Sequence, residues 1–156
     1  MARQYHITLV EESEDMPNLL RISAAASLAL HATARLARSP RRFVSAHEMA
    51  SELGVSENHL SKVCRRLARA GLVKAARGPK GGFRLNKGTD KITLLDVYET
   101  IDGPLRLDGC LLGRRMCGRN ECILGGLLKS IDRQVSEYLS GTALAQLAYT
   151  SRKGEA

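Results

Sequence analysis

Residues 45–85 read SAHEMASELGVSENHLSKVCRRLARAGLVKAARGPKGGFRL and decide the fold. Glu48 follows Ser45 by three residues, which is the S-x-x-E pattern of a capping box at a helix start. Gly54 suits a helix end in left-handed backbone, and Ser56 suits the cap of a second helix. The pattern predicts two short helices joined by a tight turn, which is the helix-turn-helix arrangement.

The second of these helices has one apolar face and one polar, basic face. Leu60, Val63, Cys64 and Leu67 recur at the spacing of a buried helical stripe. In a helix-turn-helix the first residues of the second helix meet base edges in the major groove, whereas flexible cations further along suit phosphates. We therefore expect Asn58, His59 and Ser61 to contact bases and Lys62, Arg65 and Arg66 to contact phosphates, with Ser56 beside them.

A basic hairpin follows the second helix. Apolar residues at 72–75 and at 83–85 suit two strands, and the segment GPKGG between them must turn. Proline sets one backbone dihedral, and glycine permits the positive φ that tight turns need. A tip of small residues can approach a phosphate backbone or a narrow minor groove closely. The residues of this wing predicted to contact DNA are Arg77, Lys80, Gly81 and Arg84.

The charge of the chain is concentrated on this DNA-reading segment. The 156 residues carry a net charge of +8, but residues 1–18 have a net charge of −3, residues 19–91 of +11, and residues 92–156 are neutral. Cations gathered on one segment favour a polyanion partner and a salt-dependent affinity. No apolar run resembles a secretory signal or a membrane span, so the sequence predicts a cytoplasmic protein without a membrane partner.

The remainder of the chain lies on both sides of this DNA-reading segment at 45–85, which we call the reader. We expect a flexible extension at 1–17, a winged helix-turn-helix domain at 18–91 that includes an alanine-rich helix at 19–37, and a disordered tail at 149–156. Residues 92–148 would hold a capped helix after Thr93, a cysteine loop and a long helix at 123–139. The apolar stripe of that long helix is wider than one small domain can cover, so it predicts a homodimer. The fold class expected is mainly α with a small β wing, plus a dimerisation helix.

Three closely spaced cysteines in the region 92–148 are candidates for metal binding or redox chemistry. Cys110, Cys117 and Cys122 are separated by six and then four residues, in a glycine-rich segment that also holds three arginines. Nearby cations favour the thiolate form, and iron–sulfur clusters are held mainly by thiolates. Zinc with one further ligand, or free redox-active thiols, would also be compatible with three cysteines. A fourth ligand could come from Asp108, Glu121 or His31, from elsewhere in the first helix, or from the partner subunit.

These motifs together resemble the IscR/NsrR type of bacterial winged-helix regulators, the Rrf-two family. The resemblance covers roughly residues 18–148 and is carried by ELGVSENHLSKVCRRLARAGLV, by RGPKGGF, and by TLLDVYETIDG ahead of the three cysteines. It implies a homodimer, and a labile 2Fe–2S or 4Fe–4S cluster on Cys110, Cys117 and Cys122 whose loss or nitrosylation alters operator affinity. It also implies major-groove reading by Asn58, His59 and Ser61 and minor-groove contact by Arg77 and residues 79–82. The cysteine spacing, and Gly125 where some members have histidine, leave the cluster type open.

The function predicted is a transcriptional regulator, expected to be a repressor, that binds a palindromic operator in double-stranded DNA. An iron–sulfur cluster would sense iron or cluster status, nitric oxide or redox state. The alternative is a winged-helix regulator without a cluster that responds to thiol oxidation or a small molecule. An enzyme is not expected, because the sequence has no Walker loop, no H-E-x-x-H motif and no ordered Ser-His-Asp set.

Overall fold

The computed structural model describes residues 22–105, residue 124 and residues 126–150. The structure is mostly helical with one two-stranded antiparallel sheet, as expected. In chain order the elements are α1 (Ala24–Ala37), α2 (Ala46–Leu53), α3 (Glu57–Arg69), β1 (Val73–Ala76), β2 (Gly82–Leu85), a 3-10 turn (Thr89–Lys91), α4 (Leu94–Asp102), α5 (Leu127–Gly141) and α6 (Leu144–Thr150). No helix in the described part of the chain is both long and apolar enough to cross a membrane.

Helix α1 forms the centre of the core and packs against α3, α4 and α6. Its small residues Ala26, Ala29 and Ala32 are fully buried, as is Leu36. Alanine combines the best helix propensity with a side chain that lets neighbouring helices approach closely. The expected alanine-rich helix is thus present, and it begins at its cap Ser23, whose Oγ accepts from the amide of Ala26.

The capping box expected at the start of α2 is only half formed. Ser45 Oγ accepts from the amide of Glu48 at 3.1 Å, as predicted. The Glu48 carboxylate does not return to Ser45, because its two oxygens accept from the guanidinium groups of Arg35 and Arg42 at 3.1 and 2.8 Å. Charge-assisted hydrogen bonds are stronger than a bond to a neutral amide, so the ion pairs prevail.

The wing has the two strands that the sequence predicted, each within one residue of the expected range. Strands β1 and β2 pair from Val73 with Leu85 to Ala76 with Gly82. Ahead of α2, Val44 forms a single isolated bridge with Phe83, with N···O distances of 2.9 and 2.8 Å. This bridge fastens the start of the wing's second strand to the segment that leads into α2.

Helix α4 begins with the predicted capping box, in which Thr93 and Asp96 satisfy each other's backbone amides. Helix α5 differs from the expected range, because it starts at Leu127 rather than at 123 and continues to Gly141. Gly126 at the cap position disfavours helix and supplies no capping side chain, which agrees with a start at Leu127. The α5–α6 junction is tied to the segment before α4, where Leu144 N donates to Ile92 O and Leu94 N donates to Thr142 O.

Candidate nucleic-acid interface

The turn between α2 and α3 has the geometry that the sequence predicted. Gly54 lies in the left-handed region with φ 66° and ψ 34°. Its neighbour Val55 donates from its amide to Ala50 O at 3.0 Å, which closes the end of α2. Ser56 then caps α3, accepting from the amide of His59 at 3.5 Å. The tight turn places α3 across α2, as a helix-turn-helix requires.

The apolar face of α3 is buried as predicted. Leu60, Val63, Cys64 and Leu67 are each at most 2% exposed. Burial raises the pKa of the Cys64 thiol to about 12, so this cysteine stays protonated and packs as a small apolar residue. The core therefore fixes which face of α3 points to solvent.

The opposite face of α3 presents polar and basic side chains to solvent. Asn58, His59, Lys62 and Arg65 are exposed, and Ser61 is half-buried on the side of the wing. Within the described residues, Lys62 and Arg65 have no ion pair or hydrogen bond that would occupy their cationic groups. Glu57, the first residue of α3, is an acidic neighbour whose carboxylate lies 3.2 Å from His47 Nδ1. The sequence-based prediction did not include this pair.

Two glycines at the tip of the wing, Gly81 and Gly82, have no room for a side chain. Gly81 N donates to Gly78 O at 2.9 Å and closes the turn. A Cβ on Gly81 would lie 2.3 Å from Ala76 O, and one on Gly82 would lie 2.3 Å from Val44 O. The exposed cations Arg77 and Lys80 flank this turn. The close approach of three backbone segments explains why the G-G pair precedes Phe83.

A groove of about 760 Å³ separates the wing from α3 and from the start of α2. It brings together four residues that the sequence assigned to DNA binding, Ser61 and Arg65 from α3 and Arg77 and Gly81 from the wing. The remaining lining residues are Ser45, Ala46, Ala75, Ala76, Gly78, Pro79, Gly82 and Phe83. The structure adds the amino-terminal end of α2, which the sequence reasoning treated only as a cap although helix starts attract anions.

Two arginines assigned to DNA contact from the sequence also have partners inside the protein. The guanidinium carbon of Arg84 lies 4.8 Å from the centroid of the Phe43 ring, and the Arg84 Nε is buried without a hydrogen-bond partner among the described residues. Arg66 donates from its guanidinium to Ile101 O of α4 at 2.6 Å. Neither contact could be predicted from a local sequence pattern, because each joins two segments that are distant in sequence. Arg84 thus lies at the base of the wing and not at its tip.

An ion-pair cluster positions α2 on α1. Arg35 of α1 donates to Glu48 at 3.1 Å and forms a bidentate pair with Glu52, with one of its bonds at 2.9 Å. The hydrogen bond to Glu52 raises the pKa of Arg35, and the same bond lowers the pKa of the Glu52 carboxyl, since each charge stabilises the other. Because Glu52 is exposed, this pair acts mainly as an orienting contact.

The three cysteines predicted to hold a cluster, Cys110, Cys117 and Cys122, lie outside the described residues. Within the described part of the chain, no three His, Cys, Asp or Glu side chains meet closely enough to hold a metal ion. His31, one of the possible fourth ligands, is exposed, and its Nδ1 lies 2.7 Å from Ser27 O. The iron–sulfur site therefore stays a prediction from the sequence.

The comparisons with known proteins agree with this architecture. The Rrf2 family model, described as an iron-dependent transcriptional regulator, matches residues 22–150. A protein of Aquifex aeolicus, assigned provisionally to the HTH-type transcriptional regulators, is 32% identical over 128 residues, which cover 80% of this chain and 89% of that protein. The HTH-type transcriptional regulator IscR of Aliivibrio salmonicida is 30% identical over 101 residues, covering 64% of this chain and 60% of IscR.

Among solved structures, the global cysteine regulator CymR of B. subtilis is similar with a TM-score of 0.69 and 28% identity, covering 84% of this chain and 98% of CymR. The span that the family model matches contains the helix-turn-helix, the wing and the helices around them. The chain belongs to the Rrf2 family of transcriptional regulators.

Proposed function

We propose that this regulator binds a palindromic operator in double-stranded DNA as a homodimer, and that an iron–sulfur cluster on Cys110, Cys117 and Cys122 controls its operator affinity. The observation that carries the DNA-binding part is the groove that Arg65 of α3 and Arg77 of the wing both line, together with small residues. Two cations in one groove match the phosphate backbone at the edge of a major groove.

The exposed residues of α3 support base contacts in the first turns of the helix and phosphate contacts in the next turn. Asn58, His59 and Ser61 lie in its first turns, where side chains reach base edges when a recognition helix enters the major groove. Asparagine can pair with adenine, and histidine and serine can donate or accept at several base edges. Lys62 and Arg65 follow one turn later and would hold the flanking phosphates. The wing tip, with Arg77 and Lys80, would lie against the adjacent minor groove.

Arg65→Ala and Arg77→Ala should each weaken operator binding about tenfold and make the slope of log affinity against log salt shallower by about one, because each removes one phosphate contact. Fluorescence anisotropy with a labelled operator at several salt concentrations measures both quantities. Arg133→Ala is the matched control, since Arg133 is exposed on the side of α5 away from its apolar stripe. Wild-type affinity in both groove variants would contradict the proposed interface.

The control by a cluster is supported by the chemistry of the donor set. Three thiolates within a short glycine-rich segment suit iron, and Arg114, Arg115 and Arg119 between them favour the thiolate form. The family description as iron-dependent points the same way. When bound, a cluster of this kind supplies a centre that oxygen, nitric oxide or iron shortage can remove. The protein's own part would be to hold the cluster and to alter the reader when it is lost.

A thiol switch without a cluster is the second candidate. CymR of B. subtilis, which is similar to this chain over 98% of its own length, is named as a cysteine regulator. The same three cysteines could then respond by forming a disulfide or another reversible oxidation product. Repression of the target genes is proposed in both cases.

Anaerobic purification separates the two candidates. The cluster predicts a brown protein with visible absorption, bound iron and acid-labile sulfide, and bleaching by air or nitric oxide. Cys110→Ser, Cys117→Ser and Cys122→Ser should each diminish iron content, whereas Cys64→Ala should keep the spectrum because Cys64 is buried in the core. A colourless anaerobic protein without iron, whose operator affinity changes with a thiol oxidant, would favour the thiol switch and exclude the cluster.

A further inference from the structure

Arg66 belongs to the recognition helix but is directed to another helix. Its guanidinium donates to Ile101 O at 2.6 Å, in the last turn of α4. The final carbonyls of a helix lack partners within that helix, and a cation there also meets the negative end of the helix dipole. Arg66 therefore caps the carboxyl end of α4, and by that contact joins α3 to it.

The same end of α4 is also fastened to the start of α1. The carboxylate of Asp102 accepts from Ser23 N at 2.9 Å and from Ser23 Oγ at 2.6 Å. Ser23 is itself the cap of α1, so one residue links the two helix ends. Beyond the helix, Leu105 N donates to Glu99 Oε1 at 3.1 Å and holds the chain as it leaves α4.

These contacts all lie at the end of α4, the last described helix before the three cysteines in the sequence. The last residue of α4 is Asp102, and the first of the three, Cys110, follows eight residues later in the sequence. A rearrangement of the cysteine segment that moved the end of α4 would reach α3 through the bond from Arg66. From there Arg66 provides a direct bond to the helix that faces DNA.

We propose that Arg66 is a positioning residue that couples the state of the cysteine segment to the orientation of α3, and that it does not serve as a phosphate contact. This inference rests on the proposed function, since it requires DNA binding that depends on the cysteines. It assigns the regulation to a described contact between α3 and α4. Coupling of this kind is measured as a ratio of affinities between two states, and the ratio commonly lies between about 5 and 150.

The test compares operator affinity in two states of the full chain, one with the cluster reconstituted anaerobically and one with iron removed by a chelator. Arg66→Ala should reduce the ratio of the two affinities at least fivefold towards one, with the salt slope unchanged. Arg65→Ala, the neighbouring arginine in the groove, should weaken both states by the same factor, keep the ratio and make the salt slope shallower. Arg66→Lys should retain most of the ratio, because its ammonium can still donate to the carbonyl.

Two outcomes would overturn the coupling. One is an Arg66→Ala protein that keeps the wild-type ratio, and the other is a loss of affinity in both states with a shallower salt slope, as for a phosphate contact. If thermal unfolding shows that Arg66→Ala is not folded, Arg66→Gln replaces it, since the shorter neutral amide also removes the charged cap. A wild-type protein with equal affinity in both states would refute the proposed cluster control itself, which is distinguishable from failure at Arg66 alone.

Discussion

Gly82→Ala is expected to unfold the wing and to destabilise the whole protein by roughly 3 kcal/mol or more. Gly82 has φ 136°, which L-residues rarely adopt, and a Cβ would lie 2.3 Å from Val44 O and 2.6 Å from Val44 C. Both contacts are with backbone, so no side chain can move aside. Because Val44 is bridged to Phe83 and leads into α2, the clash would open the wing and loosen the helix-turn-helix together.

Gly78→Ala separates this clash from backbone strain alone. Gly78 has φ 101°, but a Cβ there would meet nothing within 4 Å. Its substitution should cost about 1 kcal/mol, the usual penalty for placing alanine in a glycine conformation. Urea unfolding monitored by circular dichroism measures both variants, and operator binding reports the wing. Equal destabilisation by the two substitutions would mean that the close packing at Gly82 is not what fixes the tip.

The double substitution of Leu127 and Tyr138 by aspartate should convert the proposed dimer into a folded monomer. Among the described residues, the apolar stripe of helix α5 is covered on one side only. Leu128 and Leu139 are 6% exposed, whereas Leu127 and Tyr138 are 56% and 61% exposed, and Ile131 is half-buried beside them. Exposed leucine and tyrosine in one row mark the surface that a second copy would cover.

Light scattering should give twice the chain mass of 17.0 kDa for the wild type and a single chain mass for the variant. Operator affinity should fall about 100-fold or more, because two readers on one palindrome gain from tethering. Arg133→Asp places an aspartate on the other side of α5, where it reverses an exposed charge, and should leave the dimer intact. A double variant that remains dimeric would place the subunit contact elsewhere.

Much of the reader is encoded locally. The caps at Ser45, Ser56 and Thr93 and the left-handed turn at Gly54 are fixed by side chains and backbone preferences within a few residues of each other. The buried face of α3 follows from apolar spacing alone, since a helix must turn such a stripe towards the core. For these features the sequence was sufficient, and the structure confirms them.

Contacts between distant charged groups were not predictable in this way. Glu48 has the right spacing for a capping box, but its carboxylate forms ion pairs with Arg35 and Arg42 and does not bond to the backbone of Ser45. Arg66 and Arg84 resemble free cations in the sequence, and the fold supplies Ile101 O and the Phe43 ring as their partners. The position of a basic residue on a helix or a strand does not predict which carbonyl group or aromatic ring will lie beside it in the folded protein.

The sequence by itself determined that this chain has a helix-turn-helix with a glycine-rich wing, a concentration of positive charge on that segment, and three closely spaced cysteines after it. Those properties depend on composition and on spacing along the chain. Only the tertiary structure decided that Arg65 and Arg77 face one groove while Arg66 joins α3 to the end of α4. The reason is physical: a long flexible side chain reaches whichever partner the packing of separate helices places within its range.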